Sequence, residues 1–125
     1  MRILWKDDPG WHEIVRRILS DDGHEVSFVE GHGDILPSLK AGSFDLVVMN
    51  SGVVHGGDIE TPGLLTLRAI RAEPTLAELP IIVFSGAIHP DLERAVVAAK
   101  GWFVFKGGHG FDNVLAHVRE LARAS

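Results

Sequence analysis

The sequence contains no cysteine. That excludes a disulfide scaffold, a thiolate metal centre and a cysteine nucleophile, and it fits a reducing compartment. It also lacks a basic surplus, with a formal net charge of -5. Surfaces that bind nucleic acid need clustered Lys and Arg to meet phosphates, so no nucleic-acid partner is expected. No apolar run approaches membrane-spanning length. The stretch Ile3-Leu4-Trp5 is far too short for a signal peptide. The expectation is a cytoplasmic chain without membrane contact. Internal repeats, low-complexity tracts and linkers are missing too. What remains is ordinary globular composition, 46% hydrophobic and 23% charged over 125 residues. It suits one compact domain spanning residues 1–125.

Within that domain, short apolar runs alternate with amphipathic stretches. Ile3-Leu4-Trp5 opens the chain as a strand. Trp11, Ile14, Val15, Ile18 and Leu19 then recur at helical spacing, and Gly23 ends the helix. Val26 and Phe28 alternate with polar neighbours, as in a half-buried edge strand. Asp34 is the expected N-cap of a short helix carrying Ile35, Leu36 and Leu39, which Gly42 ends. Leu46-Val47-Val48-Met49 and Ile81-Ile82-Val83-Phe84 are continuous and rich in β-branched residues, as strands buried on both faces of a parallel sheet are. A helix over Pro62 to Ala72 separates them, with Pro62 in its first turn. Leu92, Ala95, Val96 and Ala99 make a further helical stripe stopped by Gly101. Phe103-Val104-Phe105 is the last strand. Phe111, Val114, Leu115, Val118, Leu121 and Ala122 line one face of the final helix.

Strands alternating with helices in this way predict βα units and an α/β fold covered on both faces. The favoured topology is a flavodoxin-like (βα)5 three-layer sandwich with a parallel five-stranded sheet of order 2-1-3-4-5. Ligands in such sheets sit at the carboxyl ends of the strands. Attention therefore falls on Asp7-Asp8 after the first strand, Asn50 after the third, Ser85 after the fourth and Lys106 after the fifth. These points are expected to converge on one shallow site. The connection Ser51 to Thr61 is long for a βα loop, and long loops in compact domains are commonly functional or mobile.

Taken in order, these fragments resemble the bacterial-type response-regulator receiver domain (CheY-like), and the likeness runs nearly the length of the chain. Ile3-Leu4-Trp5-Lys6-Asp7-Asp8-Pro9 matches the acidic pair after strand one. Asp45-Leu46-Val47-Val48-Met49-Asn50 matches the strand that ends on the family's phosphoacceptor aspartate, with Asn50 in its place. Leu79-Pro80-Ile81-Ile82-Val83-Phe84-Ser85-Gly86 matches the strand that ends on Ser or Thr. Phe103-Val104-Phe105-Lys106 matches the strand that ends on the invariant lysine, with Phe103 at the aromatic switch position. Gly107 stands where the family has proline.

The resemblance implies a site in which a carboxylate nucleophile would accept a phosphoryl group beside Mg²⁺ and a lysine. A carboxamide is neutral and a poor nucleophile. Asn50 therefore implies a pseudo-receiver, not an enzyme and not phosphorylated in the usual way. It would serve two-component or phosphorelay signalling through protein–protein contacts. No cofactor is required. Asp7 and Asp8, with one negative charge fewer beside them, would hold Mg²⁺ weakly. Ser85, Phe103 and Lys106 are the switch-equivalent residues. A signalling partner is expected on the face built from helix four, strand five and helix five, with Trp102 as a candidate anchor. An internal ion pair of Lys106 with Asp7 or Asp8 is expected to hold the site without phosphate.

Each of these residues also has a plainer reading. Asp7-Asp8 before Pro9 could be a helix-capping cluster, Lys106 a solvated loop lysine, Ser85 a turn residue, and Phe103 and Trp102 core. Two other functions compete: an active receiver using Ser51 or Asp45 as acceptor, and a small flavodoxin-like domain binding a nucleotide or flavin through glycine-rich loops. The latter finds little support. Gly31-His32-Gly33 and Gly107-Gly108-His109-Gly110 both lack the remainder of a phosphate-binding fingerprint. His12, His24, His32, His55, His89, His109 and His117 are scattered, which favours surface histidines over a metal site. His55 with Asp58 and Glu60 is the nearest metal-ligand candidate.

Overall fold

A computed structural model describes residues 1–52, 58–109 and 111–124. The strands are β1 (Arg2–Lys6), β2 (Glu25–Val29), β3 (Leu46–Asn50), β4 (Ile81–Ser85) and β5 (Trp102–Phe105). The helices are α1 (His12–Asp21), α2 (Ile35–Ala41), α3 (Pro62–Arg71), α4 (Pro90–Ala98) and α5 (Asp112–Ala124). All strand pairings are parallel, in the order β2-β1-β3-β4-β5. This is the predicted topology.

Strand alternation divides each continuous apolar run between two cores. Ile3, Trp5, Leu46, Val48, Ile82 and Phe84 face α1 and α5, where they meet Val15, Leu19, Val114, Leu115 and Val118. Leu4, Val47, Met49, Ile81 and Val83 face α2, α3 and α4, where they meet Ile35, Leu39, Leu64, Leu67, Leu92 and Val96. Both faces of the central strands are dry, so their sequences carry no polar alternation.

Three local expectations need correction. Ile14, expected in the apolar stripe of α1, is 51% exposed. It lies one residue, or about 100°, around the helix from Val15 and so falls off the buried arc. Asp34 occupies the N-cap position of α2 without capping it. Its carboxylate instead accepts from the Gly31 N–H at 3.1 Å and ties the β2–α2 loop. Gly101 follows α4, yet the left-handed residue there is Lys100, at φ 64°. The N-cap of α3 is Thr61, whose hydroxyl accepts from the Leu64 N–H. That bond holds the first turn of α3 against the end of β3, where the Gly63 N–H donates to the Ser51 carbonyl at 2.9 Å.

Candidate functional site

The carboxyl edge of the sheet opens into a cleft of about 600 Å³, walled by Asp7, Asp8, Asn50, Ser51, Ser85, His89 and Lys106 among others. The five strand-end residues singled out in the sequence are therefore brought together. The sheet's own hydrogen bonds set their spacing: the Ser51 N–H donates to the Phe84 carbonyl and the Lys106 N–H to the Ser85 carbonyl, both at 2.8 Å. The Ser85 side chain is buried, and its oxygen accepts from the Ala87 N–H at 3.3 Å.

Asp7 is 3% exposed. Burial pushes its carboxyl above the ordinary value of 3.8; the Asp8 backbone N–H, then Lys106 and Lys6, pull the other way, and Asp8's charge adds to the rise. A raised folded-state value means that burying the ionised carboxyl costs stability. The cost is absent below the unfolded-state value and is fully felt once pH has risen past the folded-state one. Asp7→Asn is accordingly expected to be more stable than the wild type at pH 7, with the gap closing as pH falls towards 4. Paired chemical melts across that range check it; a gap that widens in acid overturns the assignment.

Asn50 ends β3 half-buried, with its side-chain Oδ1 enclosed and lacking a hydrogen-bond partner; Asp7 Oδ2 is in the same condition. The Asn50 carbonyl lies 2.7 Å from His32 Nε2. A carbonyl only accepts, so that nitrogen carries the hydrogen. His32 is thus no surface histidine. It is half-buried, and burial lowers its pKa, with the nearby Lys6 charge acting in the same direction. His12 likewise stacks on Phe28 at 4.1 Å and reaches the Asp7 carbonyl at 3.3 Å. His89 lines the cleft. His55 lies outside the described residues, as do Gly110 and the centre of the 51–61 loop. Among the described residues, no three His, Asp or Glu side chains gather as metal ligands.

The expected ion pair of Lys106 with Asp7 or Asp8 is not formed. Its ammonium sits instead over aromatic faces, 4.2 Å from the Phe111 ring centre, 4.7 Å from Trp11 and 5.7 Å from Phe84. Ring faces are electron-rich, and a cation within about 6 Å of them gains up to ~2 kcal/mol when partly desolvated. Trp11 and Phe111 meet edge-to-face at 4.4 Å and build the wall. The turn that follows needs Gly107. Its φ is 60°, which proline cannot adopt, and a Cβ there would come within 2.8 Å of the Phe105 ring.

Phe103 and Trp102 lie away from the cleft. Phe103 packs against the α2–α4 core. Trp102 is 39% exposed on the opposite face of β5, its ring 5.6 Å from that of His117 on α5. Asp45 precedes β3 at the other edge of the sheet, where its carboxylate accepts from the Arg2 N–H at 2.7 Å.

No protein-family model matches the sequence. Solved structures do match in shape. The chemotaxis response regulator CheY4 of Vibrio cholerae superposes with a TM-score of 0.76 at 17% identity, over 95% of this chain and 96% of that one. The response regulator TrrA of Thermotoga maritima, in complex with Mg²⁺-BeF, gives 0.71 at 22% identity over 96% of both chains. The signal receiver domain of a histidine kinase from Syntrophus aciditrophicus gives 0.76 at 20%, over 98% of this chain and 90% of that one. With the strand order above, these likenesses establish the flavodoxin-like fold of response-regulator receiver domains. None of the described helices is long and apolar enough to cross a membrane.

Proposed function

We propose that this chain is a receiver-like signalling domain that takes no phosphoryl group at the end of β3 and acts by contact with another signalling protein in the cytoplasm. The observation that supports this best is Asn50. It stands in the cleft with Asp7, Asp8, Ser85 and Lys106, where a receiver of the usual kind would present a carboxylate. The amide cannot form the acyl phosphate that drives such domains between states. Incubation with a small phosphodonor and Mg²⁺, read by intact mass, tests the reading. On the same reading the domain is no enzyme, and Ser85, Phe103 and Lys106 keep positions of a switch without its trigger.

The contact surface proposed is the face of α4, β5 and α5. Trp102 and Phe105 are exposed on β5, and Val97 is exposed on α4. A half-exposed Trp resting on a histidine can give its remaining face to a partner at small ordering cost. Trp102→Ala is expected to weaken partner affinity by about 2 kcal/mol, roughly thirtyfold. Its thermal stability should change far less, because Trp102 belongs to neither buried core. Unchanged affinity with a large drop in melting temperature would make Trp102 a packing residue only.

A further inference from the structure

The end of α4 rests on α3. After its last turn comes Lys100, with φ 64°, a left-handed backbone that side chains disfavour. Gly101 follows and is buried. A Cβ there would stand 2.9 Å from Leu67 Cδ2 of α3. Trp102 then opens β5. A helix end leaves carbonyls without intrahelical donors, and leaving such a group unmet is costly.

At this end the donors come from Arg71, the last residue of α3 and one turn on from Leu67. Its Nε donates to the Ala99 carbonyl at 3.1 Å, and one terminal nitrogen donates to the Lys100 carbonyl at 3.0 Å. The other terminal nitrogen donates at 2.9 Å to the carbonyl of Leu76, in the turn Pro74–Leu76 that leads to β4. One planar group thus grips three carbonyls on two segments of chain. The ion pair at this junction belongs to Lys100 and Glu78, 3.5 Å apart with both side chains exposed, and such pairs contribute little.

We propose that Arg71 is a positioning residue for the contact face, a clamp from α3 that fixes the α4–β5 turn and with it the pose of Trp102. The inference rests on the reading of that face given above. The link is short. Lys100, whose carbonyl is gripped, lies two positions before Trp102, and its N–H donates to the Val97 carbonyl at 2.9 Å. Val97 and Trp102, both exposed, therefore flank the clamped turn. Side chains already held in one pose lose less freedom when a partner binds.

The test is fluorine NMR of the full chain labelled with fluorotryptophan. Its three tryptophans give three signals, and that of Trp102 is the one lost in Trp102→Phe. In Arg71→Met the Trp102 signal should shift or broaden while those of Trp5 and Trp11 stay in place. The Lys100 and Gly101 amides should also exchange at least about tenfold faster than in wild type, measured against amides of the central strands. Arg71→Lys keeps the charge without the planar fork and should behave like Arg71→Met; it is the second variant should Arg71→Met fail to fold. An unmoved Trp102 signal overturns the proposal. So does equal movement of all three signals, which marks a loss of stability alone, and so does wild-type behaviour of Arg71→Lys. Failure of the contact-face reading registers separately, as full partner affinity in Trp102→Ala.

Discussion

Acetyl phosphate with Mg²⁺ is expected to leave the intact mass of the wild-type chain unchanged, whereas Asn50→Asp should gain one phosphoryl group. The two acceptors that could stand in for Asn50, Ser51 and Asp45, are both tied down. Ser51 is buried, and its hydroxyl donates to the Gly52 carbonyl at 3.0 Å. Asp45 is held at the far edge of the sheet by the Arg2 N–H. His89 borders the cleft, but phosphate carried on an imidazole would be lost in acid, so acid treatment before weighing distinguishes it. Spontaneous deamidation of Asn50 would require the Ser51 nitrogen to attack the carboxamide carbon with release of ammonia. That nitrogen is committed to the Phe84 carbonyl at 2.8 Å, and closing the ring would break a bond at the end of the sheet. Asn50 is therefore expected to persist as an amide in stored protein, which peptide mapping checks. A stoichiometric phosphoryl adduct on fresh wild-type protein, with Asn50 intact, would falsify the proposed function.

Gly63→Ala should be the most damaging conservative change near the site. Gly63 is the second residue of α3, pressed onto the end of β3. A Cβ built there would stand 2.8 Å from the Asn50 carbonyl oxygen and 2.8 Å from Ser51 Cα. Both are backbone atoms in the floor of the cleft, so neither can rotate away as a side chain would. The helix must lift or the strand end must shift. Overpacking of this kind costs about 1–3 kcal/mol, and the upper half of that range applies where the obstacle is backbone. For a domain of this size, that lowers the melting temperature by roughly 10 °C. Gly33→Ala is the control, since a Cβ there meets nothing within 4 Å, and it should melt within about 0.5 kcal/mol of wild type. Equal melting of both variants would mean that α3 does not rest on Asn50 as described.

The order of strands and the partition of two cores were legible because buried parallel strands leave a distinct trace. Leu46-Val47-Val48-Met49 and Ile81-Ile82-Val83-Phe84 have no polar face, and only a sheet covered on both sides makes such runs stable. Asp7, Asp8, Asn50, Ser85 and Lys106 could be assembled on paper because parallel strands all deliver their carboxyl ends to the same edge. Less accessible were residues whose importance depends on the loop path. His32 and His89 are far apart in the chain, and nothing in their spacing brings the one to the Asn50 carbonyl and the other to the cleft.

Chain order and polarity thus settle which residues stand at the edge of the sheet, since that follows from strand periodicity and right-handed crossovers. Where each side chain goes from that edge was decided by tertiary packing. Lys106 has a stem long enough to reach either a carboxylate or the rings of Trp11, Phe84 and Phe111. It lies on the rings because Trp11, in the turn before α1, and Phe111, just ahead of α5, are folded against one another beside it. Those residues are separated by nearly the whole chain, and no local pattern records that they meet.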